Sequence, residues 1–84
     1  MVVQIDEPVD VLASFSSAGK LLPRKFRWRG RIYDITRIHQ VHQARQGSAT
    51  LCYFACSDGI SPYRKLCFNN VTRVWTLEET EADG

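Results

Sequence analysis

The densest group of chemically capable side chains in this sequence is a run of cations between residues 19 and 45. That segment holds eight basic residues and a single acid, Asp34, whereas the whole chain carries a net charge of only +2. Phe26, Trp28 and Tyr33 are interleaved with the cations. Nucleic acids are bound by cations that contact phosphates and by flat side chains that stack on bases. The pattern therefore predicts a nucleic-acid-binding surface. Its candidate phosphate contacts are Arg24, Lys25, Arg27, Arg29, Arg31 and Arg37.

Alternation along this run limits what such a surface can recognise. Read as a hairpin that turns at Gly30-Arg31, the run opposes Trp28 to Tyr33, with glycine at the first central position of a type II′ turn. The apolar face then holds Phe26, Trp28, Tyr33 and Ile35. The polar face holds Arg27, Arg29 and Asp34. Aromatic residues on a separate face are expected in the core, which leaves the arginines to contact phosphates without reading bases.

Two other interpretations of the basic run stay open. Arginines on the exposed face of a small sheet keep it soluble and protect its edge from pairing with other chains. The same charges could also bind an acidic protein partner.

Two histidines and two cysteines have a spacing that faintly resembles a zinc site. His39, His42, Cys52 and Cys56 follow the pattern H-x2-H-x9-C-x3-C. Two zinc-bound sulfurs must lie within about 4 Å of each other, whereas Cys52 and Cys56 on an extended strand would be about 13 Å apart. We therefore expect neither a metal nor another cofactor, and reduced cysteines that act as small apolar residues.

Nucleophilic catalysis is not indicated either. A cysteine paired with His39 or His42 would need an oxyanion hole and a third, orienting residue. The sequence shows no glycine elbow and no glycine-rich phosphate loop, because its glycines are isolated turn residues. The prediction is a domain that is not an enzyme.

Alternation with a period of two, interrupted by turn residues, predicts about six β-strands. The predicted strands are 9–15, the two arms of the 26–36 hairpin, 51–56, 63–68 and 74–77. Residues 37–50 are ambiguous, since Ile38 and Val41 fit either a helix or a continuing strand, and 43–48 has the composition of an exposed loop. Residues 1–7 and 79–84 are predicted to be flexible ends.

The fold class is therefore all-β: a single small domain over residues 1–84, built as a strongly curved antiparallel meander or a small barrel that hides its edges. The expected core is Val9, Val11, Phe26, Trp28, Tyr33, Ile35, Tyr53 or Phe54, Leu66, Phe68, Trp75 and Leu77. The N-terminus lacks the basic and apolar regions of a signal peptide, and no apolar run approaches the roughly 18 residues of a membrane span. We therefore expect a cytoplasmic protein without a membrane partner.

The run from Pro23 to Ile35 resembles the signature of a small bacterial family of uncharacterised domains. In that family a proline precedes an aromatic residue, then Trp-Arg-Gly-Arg, then a strand that carries a tyrosine. The likeness covers residues 8–78 with gaps. It continues in the aromatic strand at Tyr53-Phe54, the Asp58-Gly59 turn, Tyr-x-x-Leu at 63–66 and Trp-x-Leu at 75–77.

Some members of that family are associated with genes for error-prone DNA polymerases and DNA repair, so the resemblance implies work connected with DNA. Cys52, Cys56 and the His39/His42 pair depart from the family pattern. Two functional hypotheses follow. The first is a non-catalytic nucleic-acid-binding accessory module that acts through the basic hairpin. The second is a protein–protein interaction module that uses a sheet edge or an aromatic patch.

Overall fold

Each strand of this protein pairs antiparallel with the next along the chain, and the first also pairs with the last, so the sheet closes into a barrel in the computed structural model. The structure describes residues 1–82. The strands are β1 (Val2–Phe15), β2 (Leu21–Trp28), β3 (Arg31–Gln46), β4 (Ala49–Asp58), β5 (Arg64–Asn69) and β6 (Trp75–Glu81). The prediction of a small all-β domain with about six strands is confirmed.

The core lies inside the barrel, where alternate residues of each strand meet. Its buried members are Phe26, Phe54, Cys56, Leu66, Trp75 and Leu77. Predicted core residues that pack against them while half-buried are Val9, Val11, Trp28, Tyr33, Ile35 and Phe68. Of the two alternatives in β4, Phe54 is the core residue, because Tyr53 points to the outer face and stacks on His42.

The two ends of the chain, where 1–7 and 79–84 were predicted to be flexible, contain strand residues that pair with each other. Val2 pairs with Glu81, and the ladder between β1 and β6 continues to Val9 and Trp75. A bulge between Gln4 and Glu7 interrupts the ladder. Ile5 of this segment packs on the core, so pairing of the two ends buries apolar surface. The acidic residues next to Ile5 hide this apolar contribution when the sequence is read alone. Residues 83–84 of the predicted flexible tail lie outside the described residues.

The ambiguous segment 37–50 continues as strand, and the exposed loop predicted for 43–48 is wrong. β3 pairs with β4 as far as Gln46 and Ala49, leaving only Gly47-Ser48 to turn the chain. Gly47 has a φ of 61°, which glycine adopts without steric cost. Residues 39–43 are exposed on both faces, so the alternation that marks a half-buried strand is missing there.

The hairpin between β2 and β3 turns one residue earlier than predicted. Arg29 and Gly30 form the turn with φ values of 52° and 77°, as in a type I′ rather than a type II′ turn. Tyr33 consequently faces Phe26, and Trp28 faces Arg31. The observed partner of Tyr33 is two residues from the predicted one along β2. Since side chains two residues apart lie on the same face of a strand, the aromatic side chains share one face as predicted.

The barrel closes through a short ladder on one side. β2 and β3 pair over only four residue pairs, from Lys25–Asp34 to Trp28–Arg31. Beyond Asp34, two bulges bend β3, and its remaining length pairs with β4 alone among the described strands. Residues 21–23 of β2 pair only with β1. Within residues 1–82, these two edges face each other without a ladder, and we call this gap the open seam.

Trp75→Ala tests whether the barrel interior supplies the stability. Trp75 is 9% exposed and packs on Phe54 and Phe68 with ring centroids 5.6 and 5.0 Å away. Truncation should lower the free energy of unfolding by about 3–5 kcal/mol, measured by urea denaturation. The neighbouring, exposed Val74→Ala should change it by no more than about 0.5 kcal/mol. Equal effects of the two variants would contradict this core assignment.

Candidate nucleic-acid interface

Three of the six predicted phosphate contacts are engaged in exposed ion pairs. Lys25 Nζ lies 3.5 Å from Asp34 Oδ1, Arg29 Nη2 lies 2.7 Å from Glu7 Oε2, and Arg27 pairs with Asp10. These three cations therefore contribute less positive potential than their number implies.

The other three predicted contacts, Arg24, Arg31 and Arg37, are exposed, and no carboxylate of residues 1–82 forms an ion pair with them. Arg24 donates a hydrogen bond from Nε to Ser14 Oγ at 3.1 Å. The uncompensated charge of the hairpin thus lies at its two ends rather than along a continuous stripe.

The aromatic side chains of the hairpin are occupied by other contacts. The Trp28 Nε1–H donates to Glu7 Oε1 at 2.8 Å, and the Arg29 guanidinium lies 4.6 Å from the Trp28 ring centroid. Hydrogen bonds from Arg29 and Trp28 lower the pKa of the Glu7 carboxyl. Tyr33 stacks on Phe26 with centroids 5.0 Å apart. Half-buried and held in this way, Trp28 and Tyr33 are not free to stack on bases.

One further arginine, which the sequence analysis did not select, lies beside the hairpin. Arg73, in the turn between β5 and β6, lines a shallow depression of about 640 Å³ together with Arg27 and Arg29. It has a φ of 62°, and its N–H donates to the Asn69 carbonyl at 2.7 Å. Its position in an asparagine turn was visible in the sequence, but its proximity to the hairpin depends on how the barrel closes.

A buried ion pair supports the same end of the barrel from within. Arg64 Nε donates to Asp58 Oδ2 at 2.6 Å, and the two side chains are 4% and 2% exposed. Asp58 Oδ1 also accepts from the backbone N–H groups of Ile60 (2.8 Å) and Ser61 (2.9 Å). Burial alone would raise the pKa of Asp58, but the hydrogen bonds from Arg64, Ser61 and Ile60 outweigh it, and the pKa lies below 3.8.

Aromatic rings surround the buried guanidinium. Arg64 lies 4.4 Å from the Tyr33 ring centroid and 5.6 Å from those of Phe26 and Trp28. Its Nη1 also donates to Thr80 Oγ1 at 3.1 Å. The guanidinium occupies ring faces on which a bound base would otherwise stack. The cluster therefore holds the hairpin in position, and phosphate contacts are left to the exposed cations.

The histidines and cysteines do not converge. His39 Nε2 lies 3.1 Å from Ser57 Oγ, and His42 stacks on Tyr53, both on the exposed outer side. Cys56 faces the barrel interior instead. Among residues 1–82, no three His, Cys, Asp or Glu side chains are grouped as metal ligands would be.

Two of the thiols are poorly suited to act as nucleophiles. Burial raises the pKa of Cys56 to about 12, and burial together with the nearby Glu78 raises that of Cys67 to about 11. Both are protonated near neutral pH, and a protonated thiol reacts slowly.

Alkylation tests this assignment. With iodoacetamide at about pH 7.5, Cys56 and Cys67 should react only after unfolding, whereas the half-buried Cys52 should react in the folded protein. Mass spectrometry of digested protein locates the label, and urea-unfolded protein is the control in which all three react. Labelling of folded Cys56 as fast as Cys52 would contradict the assignment.

Asp58→Asn tests the buried ion pair. The variant leaves Arg64 without a counter-charge and should lower the free energy of unfolding at pH 7 by about 3–5 kcal/mol. Because the pKa of Asp58 is lowered on folding, its stabilisation is present above pH 3.8 and is lost as the pH falls through the folded-state value.

The difference between wild type and Asp58→Asn should therefore shrink in acid, as measured by urea unfolding across this range. Asp34→Asn, at an exposed ion pair, is the control and should have little effect at any pH. A difference for Asp58→Asn that is constant with pH would rule out a charged carboxylate at this position.

Comparison of the chain with protein-family models, with curated proteins and with solved structures finds no match. Residues 1–82 contain no helix that is long and apolar enough to span a membrane. The family resemblance of the Pro23–Ile35 run therefore stays a prediction.

Proposed function

We propose that this protein is a non-catalytic nucleic-acid-binding module that contacts phosphates through the end of the barrel formed by the β2–β3 hairpin. The observation that carries the proposal is the depression lined by Arg27, Arg29 and Arg73 together with Asp10, in which the β2–β3 hairpin and the β5–β6 turn bring three arginines together. Arg31 adds an exposed cation at the same hairpin end. Guanidinium groups suit this role because their planar N–H donors match two phosphate oxygens at once.

The ion pairs of Arg27 and Arg29 are compatible with this role. Asp10 is 74% exposed and Arg27 60% exposed, so their attraction is weakened by water and salt. A guanidinium has five N–H donors, and one carboxylate does not occupy them all. A phosphate can therefore bind beside the carboxylate or displace it.

Binding of this kind is independent of base sequence. The Arg29 and Arg64 guanidinium groups lie over the Trp28 ring. Tyr33 stacks on Phe26 and lies against Arg64, so neither ring offers a free face to a base. Contacts to phosphates position a protein on nucleic acid without reading its sequence. We expect similar affinities for oligonucleotides of equal length and different sequence, and a strong dependence on salt.

Fluorescence anisotropy of labelled single- and double-stranded DNA and RNA at several salt concentrations tests the proposal. Combined Arg27→Gln and Arg31→Gln substitution should weaken binding several-fold. It should also reduce the slope of log K against log salt by about one for each phosphate that the variant no longer neutralises. The matched control is Lys20→Gln with Arg45→Gln, which removes the same charge from exposed positions away from the hairpin end.

Retention of wild-type affinity and slope by the control pair, with weaker binding by the hairpin pair, supports the hairpin as the interface. Equal weakening in both pairs would mean that only net charge matters, and would contradict a defined site. A flat titration at low salt contradicts nucleic-acid binding altogether.

A further inference from the structure

The open seam leads into a groove of about 970 Å³, whose lining includes no residue of the Arg29-Gly30 turn. Leu21 and Leu22 of β2 line one side, and Val41 of β3 lines the other. The floor is formed by Phe54, which is only 1% exposed, and by the half-buried Phe68, next to the part of β2 and β3 that lacks a ladder. The groove is thus predominantly apolar and is bordered by two strand edges.

Backbone groups along these edges are available for pairing. Within residues 1–82, β3 beyond Asp34 has a strand partner only in β4, so the N–H and C=O groups on its other side face the seam. An extended segment laid along such an edge adds a strand to the sheet, with backbone hydrogen bonds supplying affinity and alternate side chains entering the groove.

The rim of the groove also exposes apolar side chains. Phe15 is 73% exposed and Val41 53% exposed, and both line the groove. Single exposed apolar side chains are common on protein surfaces, whereas a cluster of them beside an open strand edge is typical of a binding surface.

Charge identifies the kind of segment that fits. Lys20 and Arg73 line the groove, and no acidic residue of the described chain does. The adjoining part of β3 carries exposed Arg37, Arg45 and two histidines. Antiparallel pairing of this edge with the same edge of a second copy would bring like charges together, which disfavours self-association.

We propose that the open seam binds an extended acidic segment of a partner protein, added as a strand along β3 with apolar side chains at alternate positions in the groove. This interaction goes beyond the proposed nucleic-acid binding and uses a different part of the barrel. Arg73 borders both surfaces, so it is not a position for testing either one.

The probe is an acetylated peptide of alternating Val and Glu, about eight residues long, which spans much of the seam at about 3.3 Å per residue. The matched probe alternates Val and Lys. Isothermal titration calorimetry should show binding of the Glu peptide, with the Lys peptide at least about tenfold weaker. Amide hydrogen exchange should show new protection along residues 36–46 of β3 when the Glu peptide is present.

Two pairs of variants separate groove binding from general attraction. Val41→Glu should weaken binding of the Glu peptide by at least about tenfold, whereas Val41→Lys should retain it. Phe15→Ser should weaken binding, whereas Leu12→Ser, equally apolar and 61% exposed but outside the groove, should not. All three positions are exposed, so the variants should fold.

Absence of binding, equal binding of both peptides, or protection confined to other strands would overturn the proposal. Dimerisation of the protein alone, seen by analytical ultracentrifugation and abolished by Val41→Glu, would assign the seam to a second copy instead. Loss of oligonucleotide binding in Val41→Glu without any peptide binding would assign the groove to nucleic acid and equally overturn it. Because Arg27 and Arg31 are unchanged in these variants, the outcome is separate from that of the hairpin test.

Discussion

The buried pair of Arg64 and Asp58 is the interaction on which this barrel depends. Arg64 in β5 bonds to Asp58 at the end of β4 and to Thr80 in β6. Its guanidinium also lies against rings from β2 and β3, so one cation links five of the six strands. β1 joins through the hydrogen bond from Trp28 to Glu7. A buried charge is tolerated only when it is paired and hydrogen-bonded, so these strands must meet around it in this arrangement.

The contact between β2 and β3 therefore differs along its length: the strands pair near the hairpin turn and separate farther from it. Near Arg64 the four-pair ladder holds the hairpin in place, and the cations at its end have a firm support. Farther along, β3 is bent by bulges and follows β4, while the start of β2 follows β1. The fold therefore presents a basic turn at one end and an apolar groove with free edges at the other. A rigid, exposed cation group suits phosphates, and a free edge suits an extended chain.

The strand segments in which apolar and polar residues alternate clearly, such as residues 9–15 of β1, could be predicted from the sequence, because alternation marks them. The second half of β3 could not, since residues 39–43 are exposed on both faces beside the open seam. The buried ion pair was not predicted, although Arg64 is in phase with Leu66 and Phe68, because Asp58 is adequately explained by its turn. The pairing of Arg27 and Arg29 with Asp10 and Glu7 depends on the β1–β2 register, which composition does not reveal. Because ion pairs neutralise some of its cations, the predicted basic surface carries less positive charge than the sequence suggests.

Amide hydrogen exchange by NMR, on the protein alone, tests the central claim of a barrel closed around Arg64 and open along the seam. The ladder amides of β2 and β3 between Lys25 and Asp34 should exchange as slowly as those of β4 and β5, through global unfolding. Along residues 36–46 of β3, slow amides that bond to β4 should alternate with fast amides that face the seam. Uniformly slow exchange along this part of β3 would show that its edge is covered, and fast exchange throughout the 25–34 ladder would show that the barrel is not closed there. Either result would contradict the arrangement described.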